Sequence, residues 1–470
     1  MKKVANIKEL DMTKGPLTKQ IIIFSIPIIL TGVIQLLFNT ADNIVVGKFA
    51  SDQSLAAVGS TGSLTSLFVN LFIGISSGVS AVAARFYGAH EDGRVSMTVH
   101  TSILMSLIFG VFLSVFGWFF SKPMLELMGS PDDTIELSTL YMRIYFLGMP
   151  FNMLYNFGAA ILRAVGDTKR PLWFITTGGV INVILNLVLV IVFRLDVAGV
   201  AIATVVSQII ASVLVLRSLM MTDGCCHLSL RRLKFHKKEF AEVLKIGVPA
   251  GVQSSLFAVS NVLIQSSVNS FGSIVMAGNS AAASIEGFIY VSMNSISHAC
   301  MNFTSQNYGA GDLKRMKRTC LSCVILAGVL GFALGALSRL FAEPLLSVFT
   351  KTGDPIPYGV VRIGVFGFTY WMCGVMEVLA GYLRGMRRSV EPMINCIFFA
   401  CFMRMVWIWT VFDPLRATLG EHDALRVLYF SYPISWLLVI AAHVVFYRIA
   451  IAKKIESEVK INYDKAHGNV

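Results

Sequence analysis

What most limits how this chain can fold is a series of apolar stretches, each about as long as a bilayer is thick. The first runs from Ile21 to Val46, and its only ionisable side chain is Asp42. A helix needs roughly 20 apolar residues to cross the hydrocarbon core. In that medium the backbone must satisfy its own hydrogen bonds. Twelve stretches qualify, at about 20–47, 54–83, 97–120, 136–162, 172–193, 197–220, 241–270, 275–304, 319–341, 357–383, 392–412 and 426–451. Two of them, 54–83 and 275–304, are rich in Gly and Ser and carry the weakest pattern. With 55% hydrophobic and 14% charged residues and a mean hydropathy of +0.70, the chain reads as an all-α integral membrane protein. No connection between the stretches is long enough for a separate soluble domain.

Charge placement orients the spans. One set of connections carries Arg85 and Arg94, then Arg163, Lys169 and Arg170, then Arg231, Arg232, Lys234, Lys237 and Lys238, then Lys314, Arg315, Lys317 and Arg318, then Arg384, Arg387 and Arg388. The termini add Lys2, Lys3, Lys14 and Lys19, and Arg448, Lys453 and Lys454. The opposite connections are short and hold Asp132 and Asp133, or Asp413, Glu421 and Asp423. The positive-inside rule puts the basic loops and both termini in the cytoplasm of a multi-pass cell-membrane protein. The net charge of +12 is thus spread along an inner rim, which argues against a nucleic-acid partner. The polar start runs into a full-length span without a cleavage site, so the first span is expected to act as an uncleaved signal-anchor. Eight cysteines form no secreted framework, and the lone CxxC at Cys320 and Cys323 reads as helix packing. No phosphate loop, HExxH or nucleophile elbow is present, so an enzyme or an ATP-driven pump is not expected.

The chain repeats itself. FYGAHEDGR (86–94) matches NYGAGDLKR (307–315), and LRAVGDTKRP (162–171) matches LRGMRRSVEP (383–392), both at an offset of 221. KPMLELM (122–128) matches EPLLSVF (343–349) at the same offset, and IPIILTG (26–32) matches VPAGVQS (248–254) at 222. Six spans per unit keep both halves in one orientation. The expected architecture is therefore twelve transmembrane helices as two parallel six-helix repeats with a central cavity. The divisions follow: an N-lobe at 1–220, a basic cytoplasmic linker at 221–240, a C-lobe at 241–455 and a cytoplasmic tail at 456–470. Pro27 and Pro249 occupy corresponding places in the first span of each half, where a lost backbone hydrogen bond permits a kink.

A carboxylate within a span is costly unless it has a partner or a cavity, which marks Asp42 as a functional candidate. Counting helix rise gives it company. Asn182 lies about 15 Å and Asn186 about 21 Å into span 5 from the cytoplasm, and Thr204 about 10 Å below the outer surface in span 6. Asp42, Asn182, Asn186 and Thr204 thus fall in the outer half of the first six spans. One carboxylate, two amides and a hydroxyl form a hard-oxygen set, suited to Na+ or to a proton on Asp42. Gln35 and Asn39 share a face with Asp42, and Asn152 and Asn156 share a face of span 4. These four read as cavity-lining groups.

The chain resembles the multidrug and toxic compound extrusion (MATE) family, on the side of its bacterial NorM-, DinF- and MepA-type exporters. The resemblance rests on the 6+6 plan, the Pro-containing first span ending in FNTADNIVVG (38–47), LAAVGSTGS (55–63), and LRAVGDTKRP with its copy LRGMRRSVEP. It implies a cation site in the N-lobe, with an acid in span 1, amides one turn apart in span 5 and a Thr in span 6. Those positions are Asp42, Asn182, Asn186 and Thr204. It further implies a Na+- or H+-coupled antiporter without other cofactors, exporting organic cations or amphipathic drugs from the cytoplasm by alternating access. The protein would act as a monomer in the lipid bilayer of the cell membrane. A lipid-linked oligosaccharide or lipid flippase of the same superfamily is the alternative.

The C-lobe departs from the family pattern. Ile264 stands where Asp42 has its match, and the acids are Glu286 in span 8 and Glu377 in span 10. Both are candidates for a cationic substrate or a proton. Arg404, about 18 Å into span 11, needs a counter-charge, which Glu286 or Glu377 is placed to supply. His298 and His443 read as packed, hydrogen-bonded residues.

Overall fold

The computed structural model describes residues 10–49, 51–128, 131, 134–350 and 352–466. Lys2, Lys3, Asp132 and Asp133, used above to orient the chain, lie outside them. All regular structure among the described residues is helical. Eleven helices there are long and apolar enough to cross a membrane. Span 4 is the twelfth crossing, assembled from Ile135–Leu147 and Met149–Ala164 with a break at Gly148. At that break a Cβ would stand 2.8 Å from Val205 and Gln208 of span 6. The close approach of span 6 and the ring of Pro150 together explain why the helix does not run through.

Two compact units divide the chain. The first holds residues 10–12 with Ile26–Val248, and the second Thr13–Ser25 with residues 249–466. Span 1 (Leu17–Phe49) therefore passes from the second unit to the first just before Pro27, and span 7 (Lys237–Asn269) from the first to the second at Pro249. Both helices run on through their prolines, and Thr31 Oγ1 donates to the Pro27 carbonyl at 2.8 Å.

Small residues let backbones meet inside each unit, as apolar helices in lipid require. In the first unit, span 2 (Asp52–Gly88) meets the start of span 7: a Cβ on Gly78 would stand 2.7 Å from the Gly247 nitrogen. Below this contact Arg85 pairs with Glu242, and Arg94 with Glu239 at 3.1 Å. In the second unit, span 8 (Ser273–Ala310) lies on span 10 (Ile356–Gly385), where Ser297 Oγ donates to the Glu377 carbonyl at 2.7 Å.

The repeated loop shows its physics in both copies. Gly166 sits at φ +93°, and Asp167 Oδ1 accepts from the Lys169 and Arg170 amides at 3.1 Å, capping span 5. Burial raises the Asp167 carboxyl above its ordinary value, against the pull of those amides and Arg170. In the second copy Arg387, at φ 66°, replaces the glycine, and Arg388 replaces the acid. Arg388 takes its acid from the tail instead, donating to Glu458 at 2.9 Å. Within the stretch expected as a cytoplasmic tail, the described residues 456–466 belong to a helix, Ala452–Ala466, that is held to the second unit. Tyr308 donates to Glu458 at 2.8 Å and Asn462 to the Tyr308 carbonyl at 2.9 Å.

The Gly78 contact generates a test. A Gly78→Val side chain has no room against the backbone of Gly247. We expect a loss of about 1–3 kcal/mol, read as a lower thermal midpoint of the purified protein by fluorescence-detected size exclusion. An unchanged midpoint would show that the two helices do not approach this closely.

Candidate functional site: a carboxylate held by amides in the first unit

Span 5 runs from Lys169 to Leu187 and continues through a π turn at Val188–Val192, and span 6 covers Asp196–Met221. Their polar positions converge on Asp42 of span 1. Asn186 Nδ2 donates to Asp42 Oδ1 at 2.5 Å. Asn182, one turn earlier on the same face, satisfies both its neighbours when its amide nitrogen points at the carboxylate. It then donates to Asp42 Oδ1 at 2.8 Å and accepts from the Thr204 backbone amide at 3.3 Å. The Thr204 hydroxyl donates to the Val200 carbonyl at 3.0 Å. The structure therefore brings Asp42, Asn182, Asn186 and Thr204 together.

Burial sets the chemistry of this group. Asn182 and Asn186 are 4% and 0% exposed, and Val45, Val46, Val190 and Val200 pack as an apolar cluster with Val58 and Tyr141 against it. Among the described residues Asn186 Oδ1 has no hydrogen-bond partner. An amide oxygen buried without a donor costs about 1–3 kcal/mol, and here it stands beside a carboxylate. That donor set fits a hard cation or a proton.

The expected lining residues divide. Gln35 and Asn39 of span 1 are exposed on the first unit. Asn152 and Asn156 are half-buried and bonded to each other, Asn156 Nδ2 donating to Asn152 Oδ1 at 2.9 Å. His443 is packed and hydrogen-bonded to Asn395 at 3.0 Å.

The acids of the second unit correct one expectation. Neither Glu286 nor Glu377 balances Arg404. Glu286 is gripped on both oxygens by Arg362 of span 10, from Nε at 2.8 Å and from Nη2 at 2.7 Å. Arg362 Nη1 also donates to Asn279 at 2.6 Å, and Asn279 accepts from Tyr429 at 2.9 Å. Glu286 is therefore already neutralised, with both oxygens occupied. Glu377 is buried near Arg384, whose Nη2 donates to Gln253 at 2.9 Å. Sequence reasoning passed over Arg362, although an Arg inside an apolar span was itself a signal to look for an acid at similar depth.

Breaking a buried pair leaves a bare charge. Arg362→Met is expected to cost about 3–5 kcal/mol, and the double variant Glu286→Leu/Arg362→Met to recover most of it. Thermal unfolding in detergent measures both. A single variant as stable as the parent would mean that Glu286 has another partner.

The sequence profile of the family described as MatE matches the chain twice, at residues 27–188 and 249–410, once on each repeat. The "Probable multidrug resistance protein YoeA" of Bacillus subtilis is 27% identical over 94% of this chain and 96% of its own length. The "FAD transporter" of Shewanella oneidensis is 25% identical over 91% of this chain and 93% of its own. Among solved structures, a multidrug resistance MATE family transporter of the MOP superfamily in an outward-facing conformation superposes with a TM-score of 0.87. It is 21% identical and covers 97% of this chain and 100% of its own. With two profile matches that together span most of the chain, and with its twelve-span fold, this protein belongs to the MatE family of membrane transporters.

Proposed function

We propose that this chain is a secondary antiporter that couples inward movement of Na+ or H+ to export of organic cations and amphipathic drugs from the cytoplasm. The supporting observation is the half-buried Asp42 carboxylate, held by amide N–H groups, with the unpartnered, buried Asn186 Oδ1 beside it. Na+ arriving there finds one negative charge, two amide oxygens and the Thr204 hydroxyl, all hard donors. A proton instead makes Asp42 a donor, for which Asn186 Oδ1 is an acceptor close by. Either event rewrites the hydrogen bonds that tie span 1 to span 5. Coupling by alternating access then requires only that the ion bind more tightly in one access state than in the other.

Gln35, Asn39, Asn152, Asn156 and Glu377 are the polar groups we assign to substrate contact. With Arg362 on both its oxygens, Glu286 serves charge balance in this reading. Both termini face the cytoplasm, the location is the plasma membrane, the working unit is a monomer, and no covalent chemistry is involved.

Everted vesicles test the coupling. Wild-type protein is expected to accumulate a fluorescent organic cation under an imposed ion gradient. Asp42→Asn should lower that rate about tenfold or more, since a charge-assisted interaction is worth roughly 1.5–3 kcal/mol. Its amount in the membrane should be unchanged. Asn182→Ala and Asn186→Ala should shift the cation dependence. A Na+ gradient at equal pH, against a pH gradient in Na+-free medium, decides which ion drives transport. Uptake by Asp42→Asn at the wild-type rate would remove Asp42 from the coupling step.

A further inference from the structure

The second unit buries a cation that no acid among the described residues answers. Arg404 of span 11 is 1% exposed. Its Nε donates to Ser435 at 3.1 Å, and its Nη1 to Asn261 at 3.1 Å and, more weakly, to Ser260 at 3.5 Å. The guanidinium lies 4.0 Å from the ring centre of Tyr432 and 5.0 Å from that of Phe257. Nη2 has no partner, and no ion pair reaches Arg404 among the described residues. Neutral oxygens and ring faces soften the charge without balancing it. An uncompensated buried ion remains costly.

The internal repeat explains where this charge stands. Arg404 is 222 positions after Asn182, one more than the 221 between Arg163 and Arg384 earlier in the same loop and span. The π turn at Ile397–Phe402 lies between those points and accounts for the extra residue. At the same offset Asn261 matches Asn39, and Ile264 matches Asp42. The second unit thus carries the repeat's counterpart of the Asp42 group with its charge reversed. The acid has become isoleucine, and an amide has become arginine. Asn261 is exposed, so the polar edge of this group reaches the surface of the unit.

We propose that Arg404, with Asn261, Ser260 and Ser435, forms a binding site for a monoanionic group, a carboxylate on an aromatic or apolar body. The free Nη2 edge of a planar guanidinium suits a carboxylate oxygen. The Phe257 and Tyr432 rings suit the apolar part. The same chemistry is offered by a small inorganic anion, and the two sources are separable. The site lies in the other unit from Asp42 and is read by equilibrium binding without any gradient. It therefore stands or falls independently of the coupling reading.

The probe is benzoate, with its neutral isostere benzamide as control, titrated against the thermal midpoint of the full-length purified protein in chloride-free sulfate buffer. Benzoate should raise the midpoint and benzamide should not. Arg404→Gln should weaken the apparent benzoate affinity about tenfold or more. Asn261→Asp puts a tethered carboxylate next to Nη1. It should raise the resting midpoint and abolish the benzoate response. If Arg404→Gln fails to accumulate, Asn261→Asp carries the test. Chloride that competes with benzoate supports the site with an inorganic occupant, and benzoate protection indifferent to chloride supports an organic one. Equal benzoate titrations in wild type and Asn261→Asp, or no response of wild type to either anion, would overturn the proposal.

Discussion

Hydrocarbon offers a charge nothing to bind, so an ionisable group within these spans needs a partner from the protein or a water-filled cavity. The rest of the interior can be read from how that demand is met. Asp42 is met by amide donors, which hold a carboxylate without cancelling it. Glu286 is met by Arg362 in a two-pronged ion pair, which cancels it. Arg404 is met by hydroxyl and amide oxygens and by ring faces, with one nitrogen left over. The first arrangement leaves a negative charge uncancelled. The second does not, because both partners are committed. The third keeps a charge of the opposite sign.

These answers map onto the duplicated architecture. Contacts that only need two backbones to meet recur through both units on small residues, since close approach in lipid depends on side-chain size. Positions that carry chemistry have diverged. Asp42 corresponds to Ile264, Asp167 to Arg388 and Gly166 to Arg387. Where the capping acid of the repeated loop became Arg388, the tail helix supplies Glu458. The scaffold can stay alike because geometric needs are the same in both copies. The polar groups are free to differ wherever a substitute partner lies within reach.

Two long helices belong to both units. Span 1 changes unit just before Pro27, and span 7 does so at Pro249. A proline inside a helix removes one hydrogen bond and relieves the chain of one constraint. The prolines therefore sit where each helix ends its packing in one unit and starts it in the other. Their matching places in the two repeats give each unit the same kind of helix entering and leaving.

Much was already legible in the amino-acid order. Length and apolarity determine that the chain crosses a membrane as helices, and the offset between its halves determines the parallel repeat. Helix rise alone places Asp42, Asn182, Asn186 and Thr204 at similar depth, and these four side chains do meet. Depth follows from counting, because each residue advances a helix by about 1.5 Å. Which neighbour a side chain turns to does not, because that depends on the rotation and packing of separate helices. The tertiary structure alone decided that Glu286 faces Arg362, that Arg404 faces no acid among the described residues and that span 4 breaks at Gly148 against span 6. It alone turned the tail back to Tyr308 and Arg388, contacts that join residues far apart in the chain, where no local pattern records them.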